Sequence, residues 1–92
     1  MLFTWDTNKE QINIKKHGID FKTALRIFSD DNRLEIYDEA HSVSEERYKT
    51  IGLLDTSAIV LTVIYSLRAD TYRIISARKA TNKEVRSYYA NL

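Results

Sequence analysis

Residues 70–89 read DTYRIISARKATNKEVRSYY, and this stretch decides how the rest of the chain is arranged. Its first half, Thr71–Ala77, carries Thr71, Tyr72, Ile74 and Ile75, the β-branched and aromatic residues that suit a pleated, half-buried surface. Arg78-Lys79-Ala80 forms the join, and a helix opens at Thr81. Thr81 and Glu84, three apart, make a capping box in which a hydroxyl and a carboxylate each satisfy one orphan amide of the first turn. From Thr71 to Leu92 the charged residues are Arg73, Arg78, Lys79, Lys83 and Arg86 against Glu84 alone, a net +4. An arginine-bearing strand end beside a helix N-terminus is suited to phosphate. The alternative reading of the same cluster is a solvated basic face.

Working outward, 92 residues make one domain, spanning 1–92, that can bury roughly 60–65% of its unfolded surface. The chain has no cysteine, which removes disulfide frameworks and thiolate metal sites. It has no proline and two glycines, which favours short regular elements over a disordered linker. The longest apolar run, Ala58–Tyr65, is too short to span a bilayer. The start, MLFTWDTNKE, lacks the pattern of a signal peptide, so a cytoplasmic location is expected, with no membrane partner. The net charge of +1 hides an asymmetry: residues 30–46 carry −6, with Asp30, Asp31, Glu35, Asp38, Glu39, Glu45 and Glu46 against Arg33. Such a chain offers a basic face to nucleic acid and an acidic edge to a basic partner.

Leu2–Trp5 reads as a short strand, and Thr7 with Glu10 repeats the letters TNKE, predicting a second capping box. The helix this opens runs to about His17 and stops at Gly18, with Asn13, Lys16 and His17 on one face. Asp20 caps a second helix whose Phe21, Ala24, Leu25 and Phe28 follow the i, i+3, i+4, i+7 pattern. After a polar break at Ser29–Asn32, Leu34 and Ile36 alternate with Glu35 and Tyr37 as a strand. Asp38–Glu46 is a polar loop. Arg47–Leu54 alternates again, with Arg47, Lys49, Ile51 and Leu53 on one face. Asp55-Thr56-Ser57 is a tight connection, Ala58–Ser66 reads as a central strand covered on both faces, and Leu67–Ala69 is a turn. The last helix places Val85, Tyr88, Tyr89 and Leu92 on one side. The order β-α-α-β-β-β-β-α predicts an α+β domain with an antiparallel meander and helices against one face. Position counting puts Arg73 and Arg78 on opposite faces of an ideal strand. They converge only where the strand twists, bulges or ends before Arg78.

The chemistry is bounded by what is missing. Two histidines, His17 and His41, and no cysteine leave little for a transition metal, and no metal or other cofactor is expected. Neither GxxxxGK[ST] nor GxGxxG occurs, and no serine sits in an elbow beside a histidine and carboxylate. What remains is Arg, Lys, His, Glu and Tyr, a set sufficient for RNA cleavage without metal. The ribose 2′-hydroxyl is the nucleophile, a positioned base takes its proton, and cations stabilise the phosphorane.

Trp5-Asp6, Asn13 followed by Lys16-His17-Gly18, then Phe21, Ala24 and Phe28, resemble the opening of the BrnT toxins. Glu46 with Ile51-Gly52, then RIISARKAT at Arg73–Thr81 followed by Glu84 and Tyr88, continue the resemblance over nearly the whole chain. It implies a RelE-like fold and a type II toxin that cleaves RNA and halts translation. It implies a BrnA-like antitoxin partner, which reaches operator DNA through its own ribbon-helix-helix domain, and a heterotetrameric toxin–antitoxin complex. The family usually carries an arginine pair after ISA. Here Lys79 takes the second place, keeping the charge and losing the bidentate fork.

The residues so singled out have expected roles. Arg78, Arg73 and Arg47 hold and stabilise the phosphate, while His17 and Lys16 handle protons. Glu84 caps its helix and is a candidate base. Tyr88 packs in the core with its hydroxyl toward the site. Lys79, Lys49, Lys83 and Arg86 are the expected contacts to the RNA backbone. Two other functions fit the same residues: a non-catalytic module whose basic face docks nucleic acid or an acidic protein, and an inactive toxin homologue retained as co-repressor.

Overall fold

The computed structural model describes residues 1–92, and all five expected strands join one sheet. They are β1 (Leu2–Thr4), β2 (Leu34–Tyr37), β3 (Glu46–Leu53), β4 (Val60–Arg68) and β5 (Thr71–Lys79). The sheet order is β1-β5-β4-β3-β2. Short links make β2 to β5 an antiparallel meander, and nearly all-apolar β4 takes the centre. The expectation of a wholly antiparallel sheet fails at β1, which pairs parallel with β5 from Leu2↔Thr71 to Thr4↔Arg73. No local pattern announces this pairing, because the chain leaves β1 for helices and returns only at the far end. The upper edge of β5 is closed differently. The buried side chain of Asn13 donates to Ala77 O at 2.9 Å and accepts from Ala77 N at 3.1 Å, standing in for a neighbouring strand.

The helices are α1 (Thr7–His17), α2 (Phe21–Ala24) and α3 (Asn82–Ala90). Helix α1 ends where Gly18 adopts φ +72°, a conformation natural to glycine. Its expected capping box does not form. Asp6, one residue ahead of Thr7, takes the cap position and accepts from Lys9 N at 3.0 Å. Glu10 is thereby freed, and it accepts from Phe21 N at 2.9 Å, tying α1 to the first turn of α2. Asp20 caps α2 as expected. The second helix tightens after Ala24 into a 3-10 turn, Leu25–Ser29. This brings Ile27 into the core beside Phe21 and Ala24, while Leu25 and Phe28 are only half-buried. Gly52 admits the turn: a Cβ there would sit 3.2 Å from Ile27 O and from the Cβ atoms of Ile27 and Arg33.

The helices do not share one face, which corrects a second expectation. Phe21, Ala24 and Ile27 cover the face of the sheet that carries Leu61, Val63, Tyr65, Ile74 and Ala77. Tyr88 of α3 packs on Ile51 and Val60, whose side chains point the other way. Because α3 starts within three residues of β5 and is anchored through Glu84, it folds over one end of the opposite face and leaves the remainder open. No helix is long and apolar enough to cross a membrane.

Candidate functional site

The pairing of β4 with β5 resolves the parity problem of the two arginines. Ile64 pairs with Ser76, but the next residue, Tyr65, pairs with Ile74, so Ile75 is an extra, bulged residue. A bulge of one residue reverses the alternation beyond it. Arg73 therefore lies opposite Ser66 and Arg78 opposite Thr62, both on the same face of β4. On β3, Arg47 pairs with Ser66, Lys49 with Ile64 and Ile51 with Thr62. Three rows thus cross the open face: Arg47–Ser66–Arg73, then Lys49–Ile64–Ser76, then Ile51–Thr62–Arg78. Neighbouring side chains within a row are about 4.8 Å apart at the backbone.

Glu84 fixes the third row from above. Its Oε1 accepts from Arg78 Nη1 at 2.7 Å, Thr62 Oγ1 at 3.0 Å and Thr81 N at 2.9 Å. Its Oε2 accepts from Arg78 Nη2 at 3.1 Å and lies 3.1 Å from Lys49 Nζ. One carboxylate so binds three strands and the turn that starts α3. Thr81 returns the favour by accepting from Glu84 N at 3.2 Å, which completes the expected capping box. Burial pushes the Glu84 carboxyl up. Arg78, the Thr81 amide, Lys49 and Thr62 outweigh that and hold it well below the usual carboxylate range. The same bond raises the Arg78 guanidinium above its ordinary value.

The other candidates fall in different places. Lys49, Arg78, Ile36 and Ile64 line an open hollow of about 370 Å³, whose other lining residues are Tyr37, Asp38, Glu39 and His41. A neighbouring hollow of about 290 Å³ shares Lys49 and Ile36 and reaches Lys83 and Ser87 of α3. His17 and Lys16 line a third, of about 220 Å³, with Lys9, Asn13, Ile75 and Ser76. It shares no residue with the Arg78 hollow, although Ser76 and Ile64 are paired neighbours on one face. Lys79 follows Arg78 along the strand and so points away from it. Arg86 is exposed on α3. Tyr88 is fully buried, and its hydroxyl donates to Asp30 Oδ2 rather than toward the arginines. Burial and the Asp30 bond push that hydroxyl up to about 12.

Sequence reasoning left His41 and Asp38 aside, and the structure sets them on the rim of the Arg78 hollow. The signal was present in the spacing: Asp38 and His41 are three apart, a capping distance in a polar loop. That loop folds into a 3-10 turn, Glu39–His41. No group of three or more His, Cys, Asp or Glu side chains gathers in a way that could hold a metal ion.

Fold and site define a small α+β protein whose open sheet face carries Arg47, Lys49, Arg73 and Arg78. Residues 5–84 match the model of a family described as the ribonuclease toxin BrnT of type II toxin–antitoxin systems, and the chain belongs to that family. No curated protein matches the chain.

Proposed function

We propose that the chain is an endoribonuclease that cuts RNA without a metal ion, halts translation in the cytoplasm and is neutralised by a BrnA-like antitoxin. The observation that carries this reading is the bulge at Ile75, which puts Arg73 on the same face as Arg47, Lys49 and Arg78. In the reaction the 2′-oxygen attacks the adjacent phosphorus, the P–O5′ bond breaks, and a 2′,3′-cyclic phosphate and a 5′-hydroxyl result. Arg78, held by Glu84, meets the phosphorane's charge together with Lys49. Arg47 and Arg73 hold the backbone on one side, and Lys83 with the Lys16–His17 hollow extends the track on the others. Glu84 acts as a positioning residue: its oxygens already accept four hydrogen bonds and the Lys49 ion pair, which leaves none for a substrate proton. A metal-free route is supported by the chemistry of the donors, which are guanidinium and ammonium groups. Family membership supports an antitoxin partner, and we propose a heterotetrameric complex with it and operator DNA reached through the antitoxin.

The test is cleavage of bulk RNA in EDTA by wild type and by Arg78→Ala. The expected result is cleavage that persists in EDTA and falls about a hundredfold or more in the variant, with the circular dichroism spectrum unchanged. Retained cleavage by Arg78→Ala at equal concentration would remove that residue from the mechanism. RNA binding without cleavage would favour the non-catalytic module.

A further inference from the structure

We infer that the imidazole of His41, oriented by Asp38, is the proton acceptor of this site; the inference rests on the ribonuclease reading above. The reaction needs a group that takes the 2′ proton, and two of the obvious candidates are already committed. Glu84 has its oxygens filled by Arg78, Thr62, Thr81 and Lys49. Tyr88 is buried against Asp30. His17 lines a hollow that contains neither Arg78 nor Lys49. His41 lines the hollow that contains both.

The geometry around His41 is that of an oriented imidazole. Its Nδ1 lies 2.9 Å from Asp38 Oδ2 and 3.1 Å from Asp38 Oδ1. A carboxylate can only accept, so these two contacts assign the shared proton to Nδ1, and the bond to His41 holds the Asp38 carboxyl below its ordinary value. Nε2 is then the basic nitrogen, and it makes no hydrogen bond within the protein. The turn that bears the ring is fastened at both ends. Asp38 N donates to Arg47 O at 2.9 Å. Ser42 Oγ donates to Asp38 O at 2.6 Å and accepts from Arg47 N at 2.9 Å. His41 N also donates to Asp38 Oδ1 at 3.3 Å. The dyad is thus attached to the first residues of β3, the strand that carries Arg47 and Lys49. The charged groups facing it are Lys49 and Arg78 from the sheet, Arg47 beside Asp38, and Glu39 on its own turn. Tyr37 completes the rim.

In the step itself the 2′-oxygen–phosphorus bond forms as the P–O5′ bond breaks. The 2′ proton passes to His41 Nε2, and the departing 5′-oxygen takes a proton from solvent. The imidazolium then returns its proton to water, so the enzyme is unchanged and no other reactant is consumed.

The test compares wild type, His41→Gln, His17→Gln and Arg78→Ala on a short RNA across pH 5 to 8. An imidazole in the mechanism contributes a limb in that window. His41→Gln is expected to lower kcat about a hundredfold or more with the RNA Kd within about twofold, and to flatten the rise of rate with pH. His17→Gln should keep that rise. Free imidazole should restore part of the activity of His41→Ala, which a purely structural turn residue would not allow. Full kcat and an intact limb in His41→Gln, beside a loss in Arg78→Ala, overturn this inference alone. Loss of the limb in His17→Gln instead assigns the proton to the other hollow. A wild type that binds RNA and never cuts it overturns both readings.

Discussion

Thr7-Asn8-Lys9-Glu10 and Thr81-Asn82-Lys83-Glu84 are the same four residues at the starts of two helices, and they do different things. At 81 the letters mean a capping box. At 7 they do not, because the residue in front differs: Asp6 precedes the first copy and Ala80 the second. A carboxylate one position ahead is the stronger cap, so the helix starts a residue earlier and Glu10 moves from N3 to N4. From there it reaches the amide of Phe21 and holds one helix to the next. Ala80 offers no competitor, so Glu84 stays at N3 and turns inward over the sheet. One identity in the preceding position decides whether a glutamate serves a corner or a site.

Removing each glutamate gives the largest contrast. Glu84→Ala leaves Arg78 and Lys49 without their shared carboxylate in a part-buried setting. It should cost about 3–5 kcal/mol of unfolding free energy, the range for breaking a buried pair by removing one partner. Glu10→Ala loses one charge-assisted bond to a backbone amide and should cost about 1–2 kcal/mol. Urea titrations of the two variants check the order, and equal losses would mean that Glu84 is held no more firmly than Glu10. The two helices also lean on β5 differently, α3 through a side-chain pair and α1 through backbone groups. Asn13→Ala strands both the N–H and the C=O of Ala77 and should cost about 2–3 kcal/mol, with faster amide exchange at Ala77. Unchanged exchange there would show that the edge needs no amide to close it.

The depressed Glu84 carboxyl adds a pH signature. A group whose folded pKa lies below its unfolded value stabilises the fold above the unfolded value, and that stability is lost as pH falls. Unfolding free energy should therefore be at its plateau above about pH 5 and decline below it. Glu84→Gln should flatten this decline, since an amide does not titrate. An unaltered slope in that variant would move the acid sensitivity to other carboxylates, such as Asp30, whose bonds from Tyr88 and Leu53 hold it below its ordinary value against the upward push of burial.

The element list was legible because caps and periodicity are local: Gly18, Asp20, Thr81 and the apolar run before Ser66 each announce an end or a centre. What escaped was set by contacts distant in sequence. The parallel pairing of β1 depends on a strand nearly seventy residues away. The face chosen by α3 depends on where Glu84 finds its donors. The bulge has a local trace in the doublet Ile74-Ile75, which breaks a period-two pattern. Ile74 is buried in the core while its neighbour stands unpaired. Counting along an ideal strand puts Arg73 and Arg78 on opposite faces, and the bulge between them puts both on one. His41 has no such local signal of its site, because the residues that share its hollow, Lys49 and Arg78, lie on two strands distant in sequence from each other.

The smallest expected effect tests the claim about the preceding residue most directly. In the wild type, Thr7→Ala should be nearly neutral, because Asp6 holds the cap. Thr81→Ala should cost about 1 kcal/mol, the usual loss for an N-cap hydroxyl. Asp6→Ala gives the first TNKE the same neighbour as the second. Thr7 and Glu10 can then close the box they share with Thr81 and Glu84, at the expense of the Phe21 bond. In that background Thr7→Ala should become destabilising, so the two substitutions together should cost more than the sum of each alone. Strict additivity in the cycle would mean that Thr7 does not take over the cap, and that something other than Asp6 sets the start of α1.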